Sequence, residues 1–168
     1  VITTLFLRPY FGLLAGMVQV ADGSGLGLGV EGGLSANIAR TRLTLIASYS
    51  KLSAEIMVDT AALAFGGGYA PGPVPAVRSF DALDLAFGPS LVIGSSELGF
   101  WLGSSFHSAD RITDEAGYTL REHPSRWVFL AGGGIGWNWQ KTGLWFFVDR
   151  HMGEGGLWFL GGKVKFFP

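Results

Sequence analysis

The stretch from Trp127 to Gln140, WVFLAGGGIGWNWQ, carries no charge, sets one tryptophan at its start and two near its end, and fills its middle with glycine. Taken at a period of two it divides into faces. Odd positions give Trp127, Phe129, Ala131, Gly133, Ile135, Trp137 and Trp139; even positions give Val128, Leu130, Gly132, Gly134, Gly136, Asn138 and Gln140. Successive side chains of a strand leave opposite sides of the sheet, so this alternation predicts a strand with one apolar and one small or polar face. Ten steps from Trp127 to Trp137, at about 3.3 Å each and inclined by about 40°, climb about 25 Å. That is the height of the apolar band between the aromatic girdles of a membrane barrel, and it predicts Trp127, Trp137 and Trp139, with Trp158, at the membrane interfaces.

The same alternation recurs. Residues 3 to 20 send Leu5, Leu7, Phe11, Leu13 and Met17 one way and Arg8, Tyr10, Gly12 and Gly16 the other; 26 to 40 alternate Leu28, Val30, Leu34 and Ile38 with Gly29, Glu31, Ser35 and Asn37. Further segments at 43 to 58, 80 to 94, 97 to 109, 127 to 140, 144 to 151 and 157 to 167 bring the count to eight. Connections alternate in length. Arg40-Thr41, Ser95-Ser96 and Lys141-Thr142-Gly143 are tight, whereas the other side receives Asp22-Gly23, a long segment near 59 to 79, a charged one near 110 to 126, and Met152 to Gly156. Short periplasmic turns and longer extracellular loops are the pattern of an outer-membrane barrel. A type I′ turn at Asp22-Gly23 predicts Arg8 opposite Asn37 and Leu14 opposite Glu31, and a turn at Ser95-Ser96 predicts Asp84 opposite His107. A two-residue loop before the seventh segment turns Asp149 and His151 inward, the preferred choice because charge facing lipid is costly. Pro9 and Pro89 each remove a ladder donor and predict bulges.

Composition agrees. Of 168 residues, 48% are hydrophobic and 15% charged, against about 25% charged in an average soluble domain. A single domain over 1–168 is expected. The formal net charge of −1 excludes the basic surface a nucleic acid requires. With no cysteine there is no disulfide framework, thiolate metal site or Cys nucleophile. The longest uncharged run, TAALAFGGGYAPGPVPAV at 60 to 77, is broken by glycine and proline and does not form a membrane helix.

On its amphipathic segments, aromatic rims and last segment LWFLGGKVKFF, the chain resembles the small bacterial outer-membrane barrels of the OmpA-transmembrane-domain and OmpX type. The resemblance covers essentially the whole chain and implies an all-β, eight-stranded, antiparallel up-and-down transmembrane β-barrel in a Gram-negative outer membrane. Such barrels usually end in an aromatic residue; this sequence departs from that, ending Phe166-Phe167-Pro168.

A barrel of eight strands has an interior that side chains fill. The inward set contains Arg8, Glu31, Asp84, His107, Asp149, Lys163 and Lys165, which are expected to form a polar network that plugs the lumen. Transport of a small or hydrophobic molecule through a glycine-lined, porin-like interior is the alternative. A third reading is a lipid A hydrolase using His107, oriented by Asp84 with Ser105 or Ser108 nearby. The lipid A 3-O-deacylases carry an H-x-S pattern, and His107-Ser108-Ala109 and His151-Met152-Gly153 both depart from it. No enzyme activity, cofactor or metal is expected; His107, His123 and His151 lack ligand spacing. At the extracellular edge Arg111, Arg121, Arg126 and Arg150, with Arg78 beside them, are candidates to contact lipopolysaccharide phosphates. The apolar segment 59 to 79 is a candidate surface for a protein partner.

Overall fold

The computed structural model describes residues 7–59, 72–153 and 156–168. Among the described residues ten strands follow one another: β1 (Leu7–Val20), β2 (Gly23–Ile38), β3 (Thr41–Asp59), β4 (Pro73–Ile93), β5 (Ser96–His107), β6 (Asp110–Asp114), β7 (Thr119–His123), β8 (Arg126–Asn138), β9 (Thr142–Met152) and β10 (Leu157–Phe166). Eight form a ring in the order β3-β2-β1-β10-β9-β8-β5-β4, closed by β3 on β4. Every neighbouring pair is antiparallel. Closure removes sheet edges, the only way strands satisfy their backbone groups inside lipid.

The alternation runs through every ring strand, and it is the outer face that is apolar. Leu28, Leu85, Phe100, Leu102 and Trp127 are all more than half exposed, while Val18, Leu52, Leu130, Leu157 and Phe159 are buried inside. A soluble barrel has the opposite economy, so the exposed belt identifies a bilayer as the surrounding medium. Trp127 and Trp158 stand outward where β8 and β10 begin, at the long-loop end; Trp137 and Trp139 stand outward at the short-turn end.

Several expectations are corrected. The segment 110 to 126 is mostly strand: β6 extends the β5 side upward against β4, and β7 folds back on β6. Its Ile112 and Leu120 are buried and continue the core with Ile56 and Ala76. Likewise residues 73 to 79 of the expected long loop belong to β4, paired with β3 as far as Asp59↔Pro73; Ala61 to Tyr69 lie outside the described residues.

Two registers differ by two residues. Val20 pairs with Gly23, so the turn is Ala21-Asp22, Arg8 faces Ser35 and Gly12 faces Glu31. Positive φ is absent there; among the described residues it falls at Ala39, Gly72, Gly94 and Gly117. Gly23 is glycine for a different reason: a Cβ on it would strike the Glu55 carbonyl of β3. Ile93 pairs with Ser96, so the next turn is Gly94-Ser95, with Gly94 at φ 62 taking the left-handed conformation. Asp84 therefore faces Ser105, and His107 faces Ala82. A shift of two preserves the side each residue points to, which is why the face assignments survive.

Neither Pro9 nor Pro89 makes a bulge. Pro9 pairs in register with Leu34 and lies beyond the β1–β10 ladder, whose first pair is Phe11↔Phe166. Pro89 pairs with Leu43, and on its other side the β4–β5 ladder skips from Phe87↔Leu102 to Ser90↔Gly99 without inserting a residue.

Two substitutions test the inside-out arrangement. Leu102→Arg, outward on β5, is expected to lower stability by about 2–4 kcal/mol if it lies near the midplane, measured by denaturant unfolding in phospholipid vesicles. Gly136→Val, inward, drives its side chain into the Trp145 ring and is expected to cost about 1–3 kcal/mol by overpacking. Tolerance of either substitution without loss of stability would contradict the assigned faces.

Candidate functional site

The interior is stacked in tiers. At the short-turn end Glu97 of β5, 3% exposed, accepts hydrogen bonds from Arg42 of β3, Ser90 of β4 and Asn138 of β8. The Asn138 amide oxygen in turn accepts from Trp145 Nε1 at 3.2 Å. Three strands besides its own therefore converge on one carboxylate, which closes the floor of the barrel.

The middle tier is built on Glu31. Lys163 Nζ donates to its Oε2 at 2.7 Å, and Lys165 Nζ lies 3.7 Å from Oε1. Both ammonium groups also lie over aromatic faces. Lys163 sits 4.7 Å from the Trp101 ring centre and 5.4 Å from that of Phe147; Lys165 sits 4.5 Å from Tyr10 and 4.2 Å from Trp145. Ring quadrupoles and a carboxylate share the task of replacing water around the two cations. Beside them Asp149 accepts from Trp101 Nε1 at 2.6 Å.

Glycine makes room for these rings. A Cβ on Gly132 would strike Trp101 and Asp149, one on Gly33 would strike Tyr10, and one on Gly27 would approach Phe159 and Leu52. Small positions on one strand are thus occupied by large side chains from another.

Above lies a tier of polar groups within apolar packing. Ser48 Oγ donates to Asp84 at 2.9 Å. His107 Nε2 and His151 Nδ1 are 3.0 Å apart, both rings are buried, and Phe80 packs on His107 at 4.8 Å between ring centres. Highest is Asp110 of β6, 1% exposed. Arg78 Nε lies 2.6 Å from it, His123 Nδ1 3.1 Å and Arg126 Nη1 3.6 Å. This cluster ties β4, β6, β7 and β8 together where the β6–β7 hairpin leaves the barrel.

Of the seven residues expected in the lumen, Glu31, Lys163 and Lys165 form one group. Asp149, Asp84 and His107 lie inward in their own contacts. Arg8 stands apart at the short-turn mouth, donating to the Gln140 carbonyl at 2.6 Å with its guanidinium 4.3 Å over Phe167. The sequence reading paired Asp84 with His107; the register gives Asp84 to Ser105 and Ser48, and His107 to His151. It also missed Glu97 and Arg42, and Asp110. The signal for Asp110 was present in the short alternation Arg111, Ile112, Thr113 opposite Thr119, Leu120.

The four rim arginines have different surroundings. Arg111 is exposed, 3.4 Å from Glu122, which is exposed as well. Arg126 is turned toward Asp110, and Arg150 lies 4.8 Å over the Trp158 ring at the outer interface. The Arg121 side chain lies outside the described set. Among the described residues no group of three or more His, Cys, Asp or Glu is placed to hold a metal ion.

No protein-family model and no curated protein sequence matches the chain. Solved structures do. The chain is similar to Neisserial surface protein A (TM-score 0.64, 9% identity, covering 96% of this chain and 98% of that one). It is similar to Ail, the attachment invasion locus protein of Yersinia pestis, in its complex with the heparin analogue sucrose octasulfate (0.55, 13%, 98% and 100%). The N-terminal β-barrel domain of Pseudomonas aeruginosa OprF is a third (0.50, 15%, 96% and 98%). A closed antiparallel ring, an outward apolar belt rimmed by tryptophan, and these likenesses lead to one conclusion: the chain has the fold of the small eight-stranded outer-membrane β-barrels, and its outward belt fits it to span a bilayer.

Proposed function

We propose that this barrel serves a structural and surface-contact role in the bacterial outer membrane, and that it neither conducts nor catalyses. The observation that carries the reading is the sequence of filled tiers from Glu97 through Glu31 to Asp110, in which ion pairs and rings occupy the axis. A conducting eight-stranded barrel needs a continuous water path, and large side chains stand where that path would run.

The hydrolase alternative finds little support. His107 is 5% exposed and Ser105 fully buried, so an acyl ester would have to enter a packed interior to reach them. The His107 Nε2 that would act as base is already engaged with His151.

Contact with polyanions at the extracellular rim is the positive half of the proposal. Arg111 and Arg150 present guanidinium groups at or above the outer interface, suited to lipopolysaccharide phosphates. The crystallised complex of Ail with sucrose octasulfate, a polyanion on a barrel of this fold, is in keeping with it. A protein partner through residues 59 to 79 belongs to the same reading; in its described part, β4 carries Val77 exposed on the outer face.

In planar bilayers the wild-type protein is expected to give no steady openings; a uniform single-channel conductance would overturn the plug. Glu31→Gln leaves two buried ammonium groups without their carboxylate and is expected to destabilise by about 3–5 kcal/mol, read from urea unfolding in vesicles. Lipid A from cells expressing the wild type or His107→Ala is expected to give identical mass profiles, and a deacylated species seen only with the wild type would restore the enzyme.

A further inference from the structure

The outer wall has an irregularity that neither the plug nor the rim explains. Across β1, β2, β3 and β4 the ladders align outward residues in rows. One is Phe11, Gly32, Ala47, Leu85; the next above it is Leu13, Val30, Tyr49, Leu83; above them come Ala15, Leu28, Lys51, Asp81 and then Met17, Leu26, Ser53, Ser79. The first row is large, small, small, large. Gly32 and Ala47 therefore form the floor of a depression of about 400 Å³ between Phe11, Val30, Tyr49 and Leu83. A second depression of about 910 Å³ rises from it toward the extracellular side, sharing Val30 and Tyr49 and reaching Lys51, Asp81 and Arg111. With the paired Val30 and Tyr49 as the partition between them, the two depressions lie end to end in a furrow that begins within the apolar belt and ends among charges.

The chemistry changes along the furrow as it does along an amphiphile. The lower part touches only apolar side chains and backbone beside Tyr49. At the upper end Lys51 is exposed and has no hydrogen-bond or ion-pair partner among the described residues, and Arg111 is 69% exposed. Asp81 lies across the ladder from Lys51 and accepts the Tyr49 hydroxyl at 2.9 Å. Ser79 and Ser108 line the same end. Two cations suit phosphate; the carboxylates beside them, Asp81 across from Lys51 and Glu122 3.4 Å from Arg111, disfavour a bare phosphate and suit a ligand that also brings hydroxyl donors.

We propose that this furrow is a binding site for one phosphorylated glycolipid of the outer leaflet, its acyl chain lying over Gly32 and Ala47, its phosphate at Lys51 and Arg111, and its sugar hydroxyls at Asp81. The occupant is a lipid because the furrow opens sideways into the bilayer, where lipid is the medium in contact with it. The proposal rests on the outer-membrane reading above and shares Arg111 with the rim, but it does not depend on Arg126 or Arg150.

The structure supplies a clean substitution. A Cβ on Gly32 meets nothing nearer than 3.9 Å, and one on Gly162, outward on β10 away from the furrow, nothing nearer than 3.7 Å. At both positions a Cβ stands clear of the wall, so Gly32→Phe projects into the furrow and Gly162→Phe is the same change elsewhere. The refolded barrel in detergent is offered equal amounts of bisphosphorylated lipid A, its dephosphorylated form and phosphatidylcholine, and retained lipid is counted by native mass spectrometry. Wild type and Gly162→Phe are expected to keep one bisphosphorylated molecule, with about tenfold less of either competitor. Gly32→Phe is expected to lose about tenfold, and Lys51→Gln with Arg111→Gln to lose the preference for phosphate. Equal retention of phosphatidylcholine by the wild type would reduce the furrow to ordinary boundary contact and overturn the proposal. Retention that survives Gly32→Phe but vanishes in Arg126→Gln with Arg150→Gln would overturn it too, while leaving the rim reading intact.

Discussion

Inside a bilayer no water is available to a peptide N–H or C=O, and each unsatisfied group costs several kcal/mol. The ladder between β1 and β10, from Phe11↔Phe166 to Gln19↔Trp158, joins the ends of the chain and is therefore the contact on which the ring depends. Once the sheet is closed, one face must meet lipid and the other must fill itself. The outward leucines and phenylalanines follow from the first requirement, and the packed lumen from the second.

Filling an eight-stranded interior is a problem of volume as much as of charge. The solution here assigns glycine to one strand and a large ring to its neighbour, as with Gly136 and Trp145 or Gly33 and Tyr10. The rings then serve the charges: Lys163 and Lys165 are surrounded by π-faces that complement the single carboxylate of Glu31. Small residues, aromatic residues and ion pairs are parts of one packing arrangement.

The strands and their faces were legible because a membrane barrel imposes a strict period of two, and a register error of two residues does not disturb it. Pairings were less legible. Asp22-Gly23 resembles a two-residue turn, yet Gly23 is needed for its close approach to Glu55, and the turn moves back to Ala21-Asp22. That displacement is local, but the similar one at Gly94-Ser95 takes Asp84 away from His107 and dissolves the catalytic pairing the sequence had invited. The charged stretch at 110 to 126 read as a loop because its composition is polar; its strands are held by Asp110, whose three neighbours Arg78, His123 and Arg126 come from β4, β7 and β8. Convergence of that kind depends on the ring and is invisible along the chain.

Glu31 lies on β2 and its two lysines on β10, with β1 between them. No local hairpin brings these groups together; only the meeting of the first and last strands does. Until then the carboxylate faces an unfinished interior and the ammonium groups have nothing to neutralise them. The ion pair thus behaves as a latch that engages when the cylinder is complete, so that a barrel left open along this seam carries uncompensated charge and is marked as unfinished by its own electrostatics.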